Sequence, residues 1–98
     1  MPRKYILAPL AKSDLHSIRQ FIARDNPHAA KKVIEDIFKS IQNLAENPNI
    51  GHTCEDLTDK PVRFFSVRNF MIVYRADTSP LRIARVLAPL ARWQYHPA

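Results

Sequence analysis

The stretch from Asn26 to Pro48, NPHAAKKVIEDIFKSIQNLAENP, constrains this chain more than any other. On a helical wheel Ala30, Val33, Ile34, Ile37, Phe38, Ile41, Leu44 and Ala45 fall on one side. Lys31, Lys32, Glu35, Asp36, Lys39, Ser40, Gln42, Asn43 and Glu46 fall on the other, without exception. Asn26 is a favoured N-cap residue, Pro27 suits the first helical position, and Asn47-Pro48 forbids continuation. Most of the stability of such a helix comes from packing its apolar side rather than from propensity. The rest of the chain must therefore supply a partner surface.

At 98 residues the sequence reads as a single domain, 1–98, with one core. Its net charge of +6 is unevenly spread. Residues 1–60 carry nine Lys/Arg against eight Asp/Glu, whereas residues 61–98 carry six Arg against Asp77 alone. Two readings of this arginine excess stay open: recognition of phosphate or carboxylate through the planar guanidinium fork, or solvated strand edges protected by charge. No segment has the apolar length of a signal peptide or a membrane span, so no membrane association is expected. The single cysteine, Cys54, rules out an internal disulfide and suits a reducing cytoplasm. His52 lies near it, but the other ligands of a structural zinc site are absent at regular spacing, so neither metal nor cofactor is expected.

Residues 3–8 (RKYILA) read as a first strand, stopped by Pro9, which opens a helix to about Arg24. On that helix Ala11, Leu15, Ile18 and Ile22 form a core stripe, widened on one side by Leu10 and Phe21. The short link before Asn26 makes the two helices an antiparallel hairpin. Asp14 sits near the apolar side of the first helix. Its expected role is an acid near a helix N-terminus, because one buried ion pair often adds little net stability; pairing with a sheet Arg is the alternative. Residues 49–60 read as a polar connector, with Gly51 in a backbone conformation closed to other residues.

Three β-type runs follow, Val62 to Val67, Phe70 to Ala76 and Leu81 to Ala88, joined by links short enough for hairpins. In the middle run both faces are largely apolar, so it belongs at the sheet centre with cover on each side. The helical hairpin is one cover; the C-terminal tail or a separate chain is the other. In the last run Ile83, Arg85 and Leu87 share one face and Arg82, Ala84, Val86 and Ala88 the other, and the pattern does not decide which meets the helices. Trp93 beside Arg92 has the composition of an interaction hot spot, or it folds onto the sheet as the missing cover. The expected class is α+β: an N-terminal strand, an antiparallel two-helix hairpin, then a three-strand antiparallel meander forming one sheet.

This order, with its wording, resembles the ParE/RelE superfamily of bacterial type II toxin-antitoxin (plasmid stabilisation) systems, and its ParE branch more than its RelE branch. The resemblance runs from Tyr5 to about Trp93. It rests on Ala11 with Asp14-Leu15 and Ile18, Asp25-Asn26-Pro27 with Ala29-Ala30, and Leu44 with Asn47-Pro48 and Gly51. It extends to Ile72-Val73-Tyr74-Arg75 and to Ile83 with Arg85-Val86-Leu87. The ParE-like pattern has a His directly after Arg-Val-Leu and an acid after the following Arg; here those positions hold Ala88 and Trp93.

The resemblance implies a cytoplasmic, non-enzymatic toxin that binds DNA gyrase, meets nucleic acid only indirectly, and is neutralised by a ParD-like antitoxin. The target-binding anchors it suggests are Arg63, Arg85, Arg92 and Trp93. An antitoxin segment would cover Leu10, Leu15, Ile18 and Phe21 of the first helix and Arg75 of the sheet. A RelE-like ribosome-dependent mRNA endonuclease is the alternative. Metal-free RNA cleavage needs an acid, a base and cations on the phosphate, roles open to Tyr95, His96, Arg63 and Arg85. The Lys-rich set typical of RelE is missing. A non-toxic relative that only holds an antitoxin is a third reading, kept open by Ala88 and Trp93.

Overall fold

The computed structural model describes residues 4–53 and 61–88. Along the chain come β1 (Tyr5–Leu7), α1 (Pro9–Ala23), α2 (Pro27–Glu46), β2 (His52–Thr53), β3 (Val62–Val67), β4 (Phe70–Arg75) and β5 (Leu81–Leu87). The strands form one five-stranded sheet in the order β1-β5-β4-β3-β2. The expected α+β architecture is present, with the meander β3-β4-β5 antiparallel throughout. The N-terminal strand joins it in parallel beside β5, with Tyr5 opposite Leu81 and Leu7 opposite Ile83. A short strand the sequence did not announce, β2, lies inside the expected connector and pairs with Arg63 and Phe64. His52 and Thr53 are both exposed, so no apolar alternation marks them.

α2 starts as expected. The Asn26 side chain accepts a 3.1 Å hydrogen bond from the Ala29 N–H, and Pro27 opens the helix. Its buried residues are Ala30, Val33, Ile37, Ile41, Leu44 and Ala45; Ile34 and Phe38 pack at the margin of the same core. Across from them Ile72 and Tyr74 of β4 and Ile83 of β5 are fully buried. Met71, Val73 and Arg75 are half-buried on the opposite face. The tail expected to cover that face lies outside the described residues.

β5 answers the question its pattern left open by not keeping one alternation. Tyr74 pairs with Ile83 while Val73 pairs with Arg85, so Ala84 is an extra residue, a β-bulge. Leu81 and Ile83 face the helices before the bulge and Val86 does so after it. The β3–β4 turn holds Arg68 and Asn69 at φ 49° and 70°, both left-handed, as a two-residue hairpin of matching twist requires. Arg68 also forms an ion pair with Asp36 of α2, which ties the hairpin tip to the helical layer.

Gly51 departs from its expected reason. No glycine here has a positive φ; what Gly51 supplies is room. A Cβ at this position would lie 2.3 Å from the Tyr74 hydroxyl and 2.9 Å from the Phe64 carbonyl oxygen. That hydroxyl donates to the Pro48 carbonyl (2.7 Å) and accepts from the Gly51 N–H (3.0 Å). Arg63 closes the same loop by donating to the Gly51 carbonyl at 2.8 Å and to that of Asn49 at 3.3 Å. Gly51→Ala should therefore cost about 1–3 kcal/mol in chemical denaturation, the scale of overpacking a filled site.

Burial pushes the Tyr74 phenol above its ordinary 10.0, against the smaller opposing effects of the Gly51 N–H and the Arg63 cation. The folded state thus holds this proton more tightly than the unfolded chain. The contribution is complete below pH 10 and is lost as pH rises through the folded value. Thermal unfolding midpoints should fall above that pH, and less steeply in Tyr74→Phe, which has no phenol to ionise.

Candidate recognition surfaces

Pairing places β-strand residues on definite faces, and this separates the arginines. Arg63 lies opposite Tyr74, so it belongs to the helix-covered face; Arg85 lies opposite Val73, on the face turned away from the helices. The structure therefore does not bring Arg63 and Arg85 to one face. Each also holds an internal partner. Arg63 braces the loop at Asn49 and Gly51, and Arg85 reaches the Asp14 carboxylate of α1 through Nε (2.7 Å) and an Nη (2.9 Å).

Asp14 makes a third bond, accepting from the Val86 N–H at 3.0 Å. The reason lies in the brevity of β1. Its pairing with β5 ends where the Ala8 N–H donates to the Ile83 carbonyl, and Pro9 then begins α1. Beyond that point no strand among the described residues lies on the outer side of β5, and a carboxylate from the helix takes over. The Asp14 side chain is 17% exposed and that of Arg85 34%. The alternative reading of Asp14, a partly buried acid paired with a sheet Arg, is the observed one, and the helix-dipole role is set aside. The low net worth of a lone ion pair does not decide the matter, because the same carboxylate also satisfies a backbone N–H.

The residues expected on an antitoxin surface divide into two groups. Leu15 and Ile18 are each 6% exposed and lie in the core, so they support the surface from beneath. Leu10 and Phe21 are 58% and 70% exposed. Eleven residues apart, about three turns of 3.6, they share one side of α1. Arg75 is bound to Asp77 through Nε and an Nη at 3.0 and 2.9 Å. This bond holds the Asp77 carboxyl below its ordinary range and the Arg75 guanidinium above its own. Arg92, Trp93, Tyr95 and His96 lie outside the described residues, as does Cys54. Ala88, where the family pattern has His, is half-buried just after β5.

Sequence reasoning passed over Arg82 and Ile6. Arg82 is exposed between buried Leu81 and Ile83. A strict alternation along β5 groups it with Val86, whereas the bulge at Ala84 puts the two on opposite faces. Ile6 is 45% exposed on β1, directly beside Arg82 in the register. Among the described residues no group of His, Cys, Asp and Glu is placed to hold a metal ion, and no helix is long and apolar enough to cross a membrane.

A strand, a helical hairpin and a meander closed by a parallel first strand define a ParE-like α+β fold. The same fold occurs in a solved chain of the "Chromosomal ParDE TA system from P. aeruginosa", with a TM-score of 0.71 and 20% sequence identity. That match covers 89% of this chain and 96% of the other. The family described as "ParE toxin of type II toxin-antitoxin system, parDE" matches residues 5–88, and the chain belongs to it. A comparison with curated proteins gave no match.

Asp14→Ala should destabilise the fold by about 1.5–3 kcal/mol, the range for hydrogen bonds to a charged group. In a double-mutant cycle by urea denaturation, Asp14→Ala and Arg85→Ala should couple, with their summed single costs exceeding that of the double variant.

Proposed function

We propose that this ParE-family toxin acts by binding rather than catalysis, that its target is DNA gyrase, and that a ParD-like antitoxin neutralises it in the cytoplasm. The observation that carries the reading is the family match across residues 5–88, which spans every element from β1 to β5. Geometry adds support. Arg63 and Arg85, the cations an mRNA endonuclease would aim at one phosphate, sit on opposite faces and hold internal partners. We assign target contact to Arg92 and Trp93, with Arg85 at the end of β5 from which the tail departs. Arg63, committed to the Gly51 and Asn49 carbonyls, is assigned a role in the fold rather than in target contact.

The antitoxin is assigned to the outer side of α1, where Leu10 and Phe21 offer large apolar side chains to solvent. Burying such side chains in a partner's apolar segment is the usual source of binding energy in a helix-in-groove contact. Leu15 and Ile18 beneath them make α1 a rigid platform, which limits the ordering cost to the partner.

Expression without the antitoxin should arrest growth, and purified toxin should inhibit supercoiling while leaving translation intact. Normal supercoiling at saturating toxin would exclude gyrase, and cleavage of mRNA at the ribosomal A site would favour the endonuclease. The double variant Leu10→Ser/Phe21→Ser should bind antitoxin about 10- to 100-fold more weakly by titration calorimetry, the scale of two truncated hot-spot residues. It should still arrest growth.

A further inference from the structure

The face of the sheet turned away from the helices carries a charge arrangement that the fold does not need. Arg75 of β4 and Arg82 of β5 are direct cross-strand partners. Like charges in that relation oppose sheet formation. Asp77 neutralises one of the two through its paired bonds to Arg75. No acid among the described residues forms an ion pair with Arg82, which is exposed on the face turned away from the helices, next to the exposed Ile6. Among the described residues the pair therefore keeps about one uncompensated positive charge, held on an inner strand of the sheet and bordered by an apolar side chain.

We infer that Ile6 and Arg82 form a second docking strip for the antitoxin, with Arg82 receiving a carboxylate of the partner segment and Ile6 an apolar side chain. This rests on the antitoxin reading given above. One observation favours a protein segment over a nucleic acid: Ile6 exposes hydrocarbon where a phosphate backbone would have nothing to contact. A second ties the strip to α1. Ile6 and Leu10 are four residues apart, so even a fully extended chain keeps them within about 14 Å. One segment that follows Phe21 and Leu10 along the helix thus reaches Ile6 and Arg82 by passing over the outer edge of β1. The antitoxin clasps the toxin around that edge and touches both layers of the domain.

The test measures binding of the purified cognate ParD-like antitoxin to toxin variants whose circular dichroism matches the parent. Arg82→Glu should weaken binding by about tenfold or more, and the deficit should shrink as salt screens the charge. Arg82→Lys, which keeps the positive charge, should stay within about threefold of the parent. Lys39→Glu, the same reversal on the solvated side of α2, should change affinity by less than about twofold. Arg82→Glu binding like the parent, while Leu10→Ser/Phe21→Ser binds weakly, overturns the strip and leaves the antitoxin reading standing. No complex with the parent toxin overturns both. Full antitoxin affinity in Arg82→Glu, together with lost retention of a DNA duplex, overturns the inference in favour of nucleic acid.

Discussion

The carboxylate of Asp14 sets the relation between the two layers of this domain. A three-residue first strand is too short to cover the whole outer side of β5, and the helix that follows must begin at Pro9. The uncovered part of β5 presents a backbone N–H, at Val86, that burial would make costly if left alone. Asp14 satisfies it and takes the Arg85 guanidinium in the same grip, which anchors α1 at the level of the bulge. The strand is thereby closed on a side where an unpaired edge would invite another chain.

Most of the architecture was readable because it obeys simple periods. The apolar side of α2, its Asn26-Pro27 start and the helix-facing side of β4 each follow from one element's own sequence, and the structure agrees with them. What could not be read depends on two elements at once. The bulge at Ala84 exists only in the register of β5 against β4, so no alternation within β5 announces it. The size requirement at Gly51 comes from Tyr74, twenty-three residues later, so local turn chemistry suggested a backbone reason that does not apply. On α1 the period of Ala11, Leu15 and Ile18 marks the core stripe, and these residues are buried. The candidate antitoxin surface was drawn too wide, because it took Leu15 and Ile18 together with the exposed Leu10 and Phe21.

The arginines that looked like one basic surface are several different devices. Arg63 braces the loop after α2, Arg68 fastens a hairpin tip, Arg85 joins sheet to helix, and Arg75 is matched with Asp77. Arg suits these tasks because its fork binds two acceptors in fixed geometry, as at Asp14 and Asp77. Residue counts overstated the charge available for recognition. Among the described sheet residues most of it is spent inside the molecule.

The parallel pairing of β1 with β5 has a consequence for how the domain comes into being. β1 waits for β5, which is synthesised after it and after every other strand among the described residues, because β5 lies between β1 and the rest of the sheet. Until Leu81–Leu87 has emerged, the helical hairpin has neither the Asp14 anchor nor the centre of its floor. Long-range closure of this kind delays folding relative to local contacts. A nascent chain therefore spends its synthesis time without the finished surface. Any harmful activity that depends on that surface begins only after translation of the domain is essentially over, late enough for an antitoxin already in the cell to meet the toxin as it forms.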